Sequence, residues 1–273
     1  MRTRTLVTLL LELLAWILSL VIVIPLFLVL INSLKDRAGA SLMSLSLPKV
    51  FHFENYRKVI EEGRLLRSFL NSMVITAGSV FLSIVASSMA GFVLARNRTR
   101  LNNGIYYYLL LGLIAPLNMI TVIRTLQLIG LMNTYPGIIL LYSALLMSFS
   151  VFLYYGFMNT VPRELDESAF IDGSSSLQLF LRIVFPLLKP VTITIMVINF
   201  MGAWNNFIIP LYVLNRSDMW PMTLAIYNFY GRRISEWQLV NADVVLTIAP
   251  VVILYIVGQR YLISGMTAGA VKG

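Results

Sequence analysis

Six long apolar stretches, free or nearly free of charge, alternate with polar segments along this chain. They run from Leu13 to Leu34, Ser68 to Ala95, Ile105 to Ile123, Gly137 to Phe157, Lys189 to Leu214 and Val240 to Ile263. A helix needs about 20 mostly apolar residues to cross the hydrocarbon core of a bilayer. The pattern therefore predicts six membrane-spanning helices. The first stretch is longer than the apolar core of a cleaved signal peptide, so it reads as an anchor. Pro25 predicts a kink in it, and Pro116 an interruption of the third stretch. The second stretch holds Gly78, Ser79, Ser83, Ser87, Ser88 and Gly91. Small residues let helix backbones approach closely in a membrane, so this span is expected inside the bundle.

Composition supports that class. Charged residues are 12% of the chain and hydrophobic ones 58%, with a mean hydropathy of +0.82. A soluble domain carries about 25% charged residues. The net charge of +9 fits basic residues that flank spans better than a nucleic-acid surface, so no nucleic-acid partner is expected. Arg2 and Arg4, the run Arg96 to Arg100, the group Arg163, Arg182 and Lys189, and Arg260 with Lys272 fall on one side of a six-span model. By the positive-inside rule that side is cytoplasmic, and both termini lie on it. The basic residues between 32 and 67 run against the rule, so the topology rests on the other loops. The outer segments are then about 35–67 and 215–239. Pro48, Phe51, Phe53 and Tyr56 predict that part of the first folds on the outer surface. In the second, Trp220, Tyr227, Tyr230 and Trp237 form either an interfacial belt or a protein-contact surface around Arg216, Asp218, Arg232, Arg233 and Glu236. The tail from Ser264 to Gly273 reads as small and flexible.

The chain has no Cys and a single His, His52, so disulfides and a thiolate metal site are excluded and no metal is expected. No catalytic nucleophile–base arrangement stands out. No G-x-x-x-x-G-K-[ST] run occurs, so the chain has no standard phosphate-cradling loop of its own. No internal repeat of the secondary-carrier kind is evident. Asp243 is the one acid near a span end that could serve ion coupling. A bare channel stays open as an alternative on these grounds. Asn199, Asn205 and Asn206 in the fifth stretch either bond between helices or line a passage.

The most patterned polar interruption of the second half is Thr160 to Pro190. Pro162 suits a first helical turn, and Glu164, Asp166 and Glu167 suit a helix N-terminus. Asp172-Gly173 is a helix-ending pair. Ser174 to Ser176 offer caps for a second helix, in which Leu177, Phe180, Leu181 and Val184 recur at helical spacing until Pro186. The reading is a short helix, a tight turn and a second helix at a membrane surface.

Glu167-Ser168-Ala169-x-x-Asp172-Gly173, followed by Phe180, Ile183 and Pro186, resembles the EAA loop of ABC-importer permeases. Ser168, Ser174 and Phe185 depart from the family pattern, and the two serines keep the side chain small. Leu131-Met132-Asn133-Thr134-Tyr135 resembles the L-x-N-T-Y segment of the sugar-permease branch, similar to the second membrane subunit of the maltose transporter. Trp204-Asn205-Asn206-Phe207 resembles W-N-[DE]-F, with Asn206 in place of the acid. Gln259-Arg260-Tyr261 and Thr267 to Gly273 resemble the family ending.

The resemblance implies an all-α, polytopic, six-helix type I ABC importer permease, one transmembrane domain over residues 1–273, in the plasma membrane of a prokaryote. Its coupling loop would cover about 160–187. Glu167, Ser168, Ala169, Asp172 and Gly173 would dock an ATPase subunit. Asn199, Trp204 and Asn205 would lie along the passage. The implied partners are a second, non-identical permease, ATP-binding subunits, an extracellular solute-binding protein, membrane lipid and a sugar or oligosaccharide as substrate. The chain would bind no cofactor itself; ATP would be used by the partner subunits, and the chain would be no enzyme.

Overall fold

The computed structural model describes residues 2–229 and 236–270, with side chains at 8–229 and 236–259. Tyr230, Arg232 and Arg233 of the expected outer segment and Val271 to Gly273 of the tail lie outside the described residues. So do the side chains of Arg2, Arg4, Arg260 and Thr267.

Among the described residues the regular structure is helical. The long helix α1 (Arg2–Ser33) is followed by the short α2 (Arg37–Ser41) and α3 (Glu54–Glu61). Next come α4 (Leu65–Arg96), α5 (Arg100–Ile114), α6 (Met119–Leu128) and α7 (Tyr135–Met158). The polar interruption forms α8 (Glu164–Ile171) and α9 (Ser176–Leu179). One π turn (Phe180–Val184) and α10 (Phe185–Leu187) lead into α11 (Lys189–Trp204). The chain continues through α12 (Ile208–Val213), α13 (Met222–Ala225) and α14 (Trp237–Ala270).

Four of these, α1, α4, α7 and α14, are long and apolar enough to cross a bilayer. A fifth candidate is a broken span, Ser176–Leu187 followed by Lys189–Trp204, bent by 77°. Of the six predicted stretches the third and the fifth are therefore not single straight helices, the third as Pro116 predicts. The third stretch divides because Pro116 cannot continue a helix. Asn118 then caps α6, its Oδ1 accepting from the N–H groups of Ile120 (3.0 Å) and Thr121 (3.2 Å). At 1.5 Å per residue α5 reaches only about 22 Å, short of a core of about 30 Å. The fifth stretch stops at Trp204, where Asn206 Oδ1 accepts from Ile209 N–H at 3.0 Å and starts α12. The flexible tail expected from Ser264 is helical as far as Ala270. A lone glycine such as Gly265 costs a helix only about 1 kcal/mol, too little to end it.

The chain divides into two compact units. The first holds the residues up to 68 and 224–249. In it α1 is apolar all round and exposed nearly all round, with Trp16 at 75%. The segment after α1 is folded, as Pro48 and its aromatic neighbours predict. Lys35 is buried with no ion pair to an acid among the described residues; its ammonium donates to Asn32 Oδ1 (3.0 Å), Ser44 O (2.7 Å) and Ser44 Oγ (3.1 Å). Burial lowers its pKa from the ordinary lysine value. Asn55 donates to the carbonyls of Ser33 and Lys35, both at 2.9 Å, and so fastens α3 to the end of α1.

The second unit holds 69–223 and the residues from 250 onward. Here α4 and α7 pack closely, as the small residues of α4 predict. A Cβ placed on Gly91 would lie 2.7 Å from Tyr154 Cβ, an atom too near the backbone to swing away. Tyr106 of α5 stacks on Tyr155 of α7 with centroids 4.1 Å apart. Gly91→Val is expected to destabilise the protein by about 1–3 kcal/mol through overpacking. Gly104→Ala, where a Cβ meets nothing within 4 Å, is expected to be neutral or slightly stabilising. Thermal unfolding of both variants in detergent checks the pair.

Candidate functional site

The loop from Thr160 to Pro190 folds as the residue pattern predicts, with two differences. α8 begins at Glu164 rather than at Pro162, with Arg163 at the N-cap. Pro162 stays outside, and its carbonyl accepts from Arg96 Nη2 at 3.5 Å. The three acids Glu164, Asp166 and Glu167 occupy the first turn, where the helix dipole favours negative charge. Gly173 ends the helix in a Schellman arrangement. Ser174 N–H donates to Ala169 O (2.9 Å), Gly173 N–H donates to Phe170 O (3.1 Å), and Gly173 takes φ +78°. Ser175 caps α9 in a reciprocal box with Gln178, at 3.0 and 3.3 Å.

The second difference is the buried face beyond α9. Leu177 and Leu181 are 55% and 54% exposed, while Leu179, Phe180, Val184 and Leu188 are buried. The π turn at 180–184 holds one residue more than an α turn, so it shifts the register that simple helical spacing would give. The run does not stop at Pro186. It passes through α10 and bends at Leu188, with Pro190 in the first turn of α11. The buried side chains join Ala95, Tyr154, Met158 and Val161 in one apolar cluster.

Ala169 belongs to that cluster and is 3% exposed, so its small side chain allows α8 to lie close to its own chain. Glu167, Ser168, Asp172 and Gly173 are exposed, as are Phe170 (53%) and Ile171 (86%). The structure thus collects four of the five expected docking residues on an outward surface and places the fifth beneath it. Adjacent acids take opposite roles. Glu167 is exposed, whereas Asp166 turns inward to Arg96, the last residue of α4. Arg96 Nε lies 2.7 Å from Asp166 Oδ2, an ion-pair approach that is not aligned as a hydrogen bond. Arg96 Nη2 donates to Asp166 Oδ1 at 3.2 Å, and Nη1 donates to Val161 O at 3.1 Å. Each side chain of the pair is only 13% exposed. Sequence reading singles out neither role. The available signal is an arginine closing an apolar span, paired with one acid too many for a simple helix start.

Asn199 sits between helices. Its Nδ2 donates to Ser150 Oγ of α7 (2.9 Å) and Ser83 Oγ of α4 (3.3 Å), and it is 1% exposed. Ser143 Oγ donates to Ser79 O at 3.2 Å, and Ser87 Oγ approaches Met147 O at 3.5 Å. Trp204 is buried too, stacked on Phe200 at 5.3 Å and edge-on to Phe69 at 5.9 Å. Asn205 is exposed. The three residues expected along a passage are therefore not equivalent. Asn206, in place of an acid, does its capping through a carbonyl oxygen that either residue supplies.

At the far end of α4 a second set of bonds fixes residues 214–222. Asn71 Nδ2 donates to the carbonyls of Asp218 and Trp220, both at 3.0 Å, and its Oδ1 accepts from Tyr135 Oη at 2.8 Å. Met222 N–H donates to Ser72 Oγ at 2.8 Å. Asn133 takes φ +59° and accepts from Asn215 N–H at 2.9 Å. Thr134 caps α7 through Gly137 N–H at 3.1 Å. The Asn133-Thr134-Tyr135 run is thus a folding device: one left-handed turn, one cap, one cross-link.

These features define a polytopic membrane protein that displays a short surface helix clasped to a spanning one. Residues 83–268 match the family described as binding-protein-dependent transport system inner membrane component, and the chain belongs to that family. It is 36% identical over 253 residues to a melibiose/raffinose/stachyose import permease protein of Bacillus subtilis, covering 92% of this chain and 91% of that one. A probable starch degradation products transport system permease of Thermoanaerobacterium thermosulfurigenes is 33% identical over 96% of both chains. A multiple sugar-binding transport system permease of Streptococcus mutans is 34% identical over 93% of both. In structure, the chain is similar to one from a bacterial ABC transporter involved in the import of the acidic polysaccharide alginate. The TM-score is 0.85, with 20% identity and coverage of 96% and 98%. The fold is that of a type I ABC-importer permease, and the chain is a multi-pass membrane permease subunit.

Two outcomes follow from the geometry. Gly173→Val forces a β-branched residue into the left-handed region, costing about 1–2 kcal/mol, whereas Gly173→Asn is tolerated. Limited proteolysis across residues 171–176 is expected to cut the Val variant faster. Asn199→Ala removes two interhelical bonds and is expected to cost about 0.6–1.7 kcal/mol, read as a lower unfolding temperature in detergent.

Proposed function

We propose that this chain is one membrane half of an ATP-driven importer for a sugar or oligosaccharide. It pairs with a second, non-identical permease, receives substrate from an extracellular binding protein, and docks separate ATP-binding subunits on α8. The observation that carries the reading is the outward face of α8. Glu167, Phe170 and Ile171 are exposed there on a helix whose inner side is fixed to its own chain. Such a face offers carboxylates, those of Glu164 and Glu167, and two apolar knobs to a partner. The substrate class rests on the names of the three relatives, which are permeases for melibiose, raffinose and stachyose, for starch degradation products and for multiple sugars. The chain has no phosphate-cradling run, so ATP is hydrolysed by the partner and this subunit is no enzyme.

The basic residues from Arg96 to Arg100 and Arg163 with Arg182 support a cytoplasmic side for α8 and for both termini. Transport proceeds by alternating access. Closure of the ATPase pair moves the docked loops Glu167 to Gly173, and the two permeases part at the outer face. Among Asn199, Trp204 and Asn205, the exposed Asn205 meets the passage, while Asn199 and Trp204 hold its position from within.

The test joins binding to uptake. Losing a charged partner at a buried contact costs about 2–5 kcal/mol, roughly tens to thousands of fold in affinity. Glu167→Lys is therefore expected to insert normally yet fail to retain the ATP-binding subunit, and ATP-dependent sugar uptake in proteoliposomes is expected to collapse. Normal retention and uptake by this variant would remove α8 as the docking site. Uptake that needs no ATP would replace the importer with a channel or carrier.

A further inference from the structure

The geometry points to α4 as a connecting rod, with Arg96 and Asp166 as the positioning residues that make α8 move with it. The inference rests on the docking reading only for what drives the motion. Three observations carry it. First, α8 is fastened to the end of α4 by polar contacts in a mostly buried place. Arg96 reaches Asp166 and the carbonyls of Val161 and Pro162, and Arg163 Nη2 reaches back to Ala95 O at 3.5 Å. Arg98 Nη2 adds a bond to Asn159 Oδ1 at 2.9 Å. Second, from Phe69 to Arg96 the rod is one uninterrupted helix with no proline, and its one Gly-Ser pair, Gly78-Ser79, is packed against Ile139 of α7. Third, its far end holds another segment just as firmly: Asn71 and Ser72 bind the backbone of Asp218, Trp220 and Met222.

The two grips lie 25 residues apart, about 37 Å along an α-helix. A displacement of α8 cannot be absorbed at the Arg96 end without breaking the pair and exposing its charges. It reaches Asn71 as a tilt or shift of the whole rod, and with it the 218–222 segment. Apolar packing alone would leave α8 free to slide on Ala95 and Val161. The guanidinium, with carboxylate and carbonyl acceptors at fixed angles, sets a single register.

The experiment uses the assembled importer with its second permease and ATP-binding subunits. Cysteines are placed at Leu165, on α8 but outside the residues assigned to docking, and at Val93, both exposed, in a chain that has no cysteine of its own. Spin labels on them report the spacing of α8 and α4. The parent protein is expected to give one narrow distance distribution that holds through ATP binding and hydrolysis. Arg96→Met and Asp166→Asn are expected to broaden it and to lower uptake roughly tenfold while retaining the ATP-binding subunit. Asp166→Glu, which keeps the carboxylate, is expected to restore most of both. A narrow distribution in Arg96→Met, or normal uptake alongside a broad one, would overturn the inference. Loss of the ATP-binding subunit from the parent assembly would instead be a failure of the docking reading, and the distance distribution would still decide the latch.

Discussion

In a bilayer no water is at hand to satisfy a polar group, so each one must be met inside the protein. That constraint shapes the second unit of this chain, where among the described residues Tyr142 Oη and Asn199 Oδ1 are buried polar atoms with no partner. Along α4 the serines at 79, 83 and 87 face α7, and Asn199 reaches from α11 to Ser83 and Ser150. Each contact is modest, about 1 kcal/mol or less for an interhelical bond. Together with the near approach at Gly91 they fix the rotation of α4 about its own axis. Once that rotation is set, Arg96 can point only one way, and the loop that follows α7 is built around it.

Much of this was legible in the residues. The long apolar runs gave α1, α4, α7 and α14, and small residues on α4 foretold its close packing. The loop was readable because its signals are local: acids at a helix start, Gly at its end, Ser and Gln in a reciprocal cap. What escaped was non-local or register-dependent. The inward turn of Asp166 depends on an arginine 70 residues earlier. The π turn sets the register beyond Phe180, so Val184 and Leu188 are buried while Leu181 is exposed, which no 3.6-residue pattern reveals. The break at Asn206 divides an apolar run that composition alone joins, whereas the one at Pro116 was legible in the residues.

The short motifs separate into two kinds once their atoms are seen. Asn133, Thr134 and Tyr135 are spent on backbone geometry, and Asn206 on a cap. They identify a family because the fold needs them. Glu167, Phe170 and Ile171 have no such internal use. On the proposed docking at α8, the side chains that hold the fold and those that would meet a partner are different ones.

The clasp between α4 and α8 also bears on how such a protein can change over evolutionary time. Residues on the inner side of α8 answer to this chain: Asp166 must suit Arg96, and Ala169 must stay small against its cluster. Residues on the outer side answer only to whatever they meet. Substitutions at 167, 170 and 171 can therefore accumulate without disturbing the scaffold. If α8 is the docking helix proposed above, a lineage could exchange one energising subunit for another by altering a few exposed positions, each intermediate remaining folded and inserted. Drift at 96 or 166 would need a matched second change. Across descendants those two positions should vary as a pair or not at all.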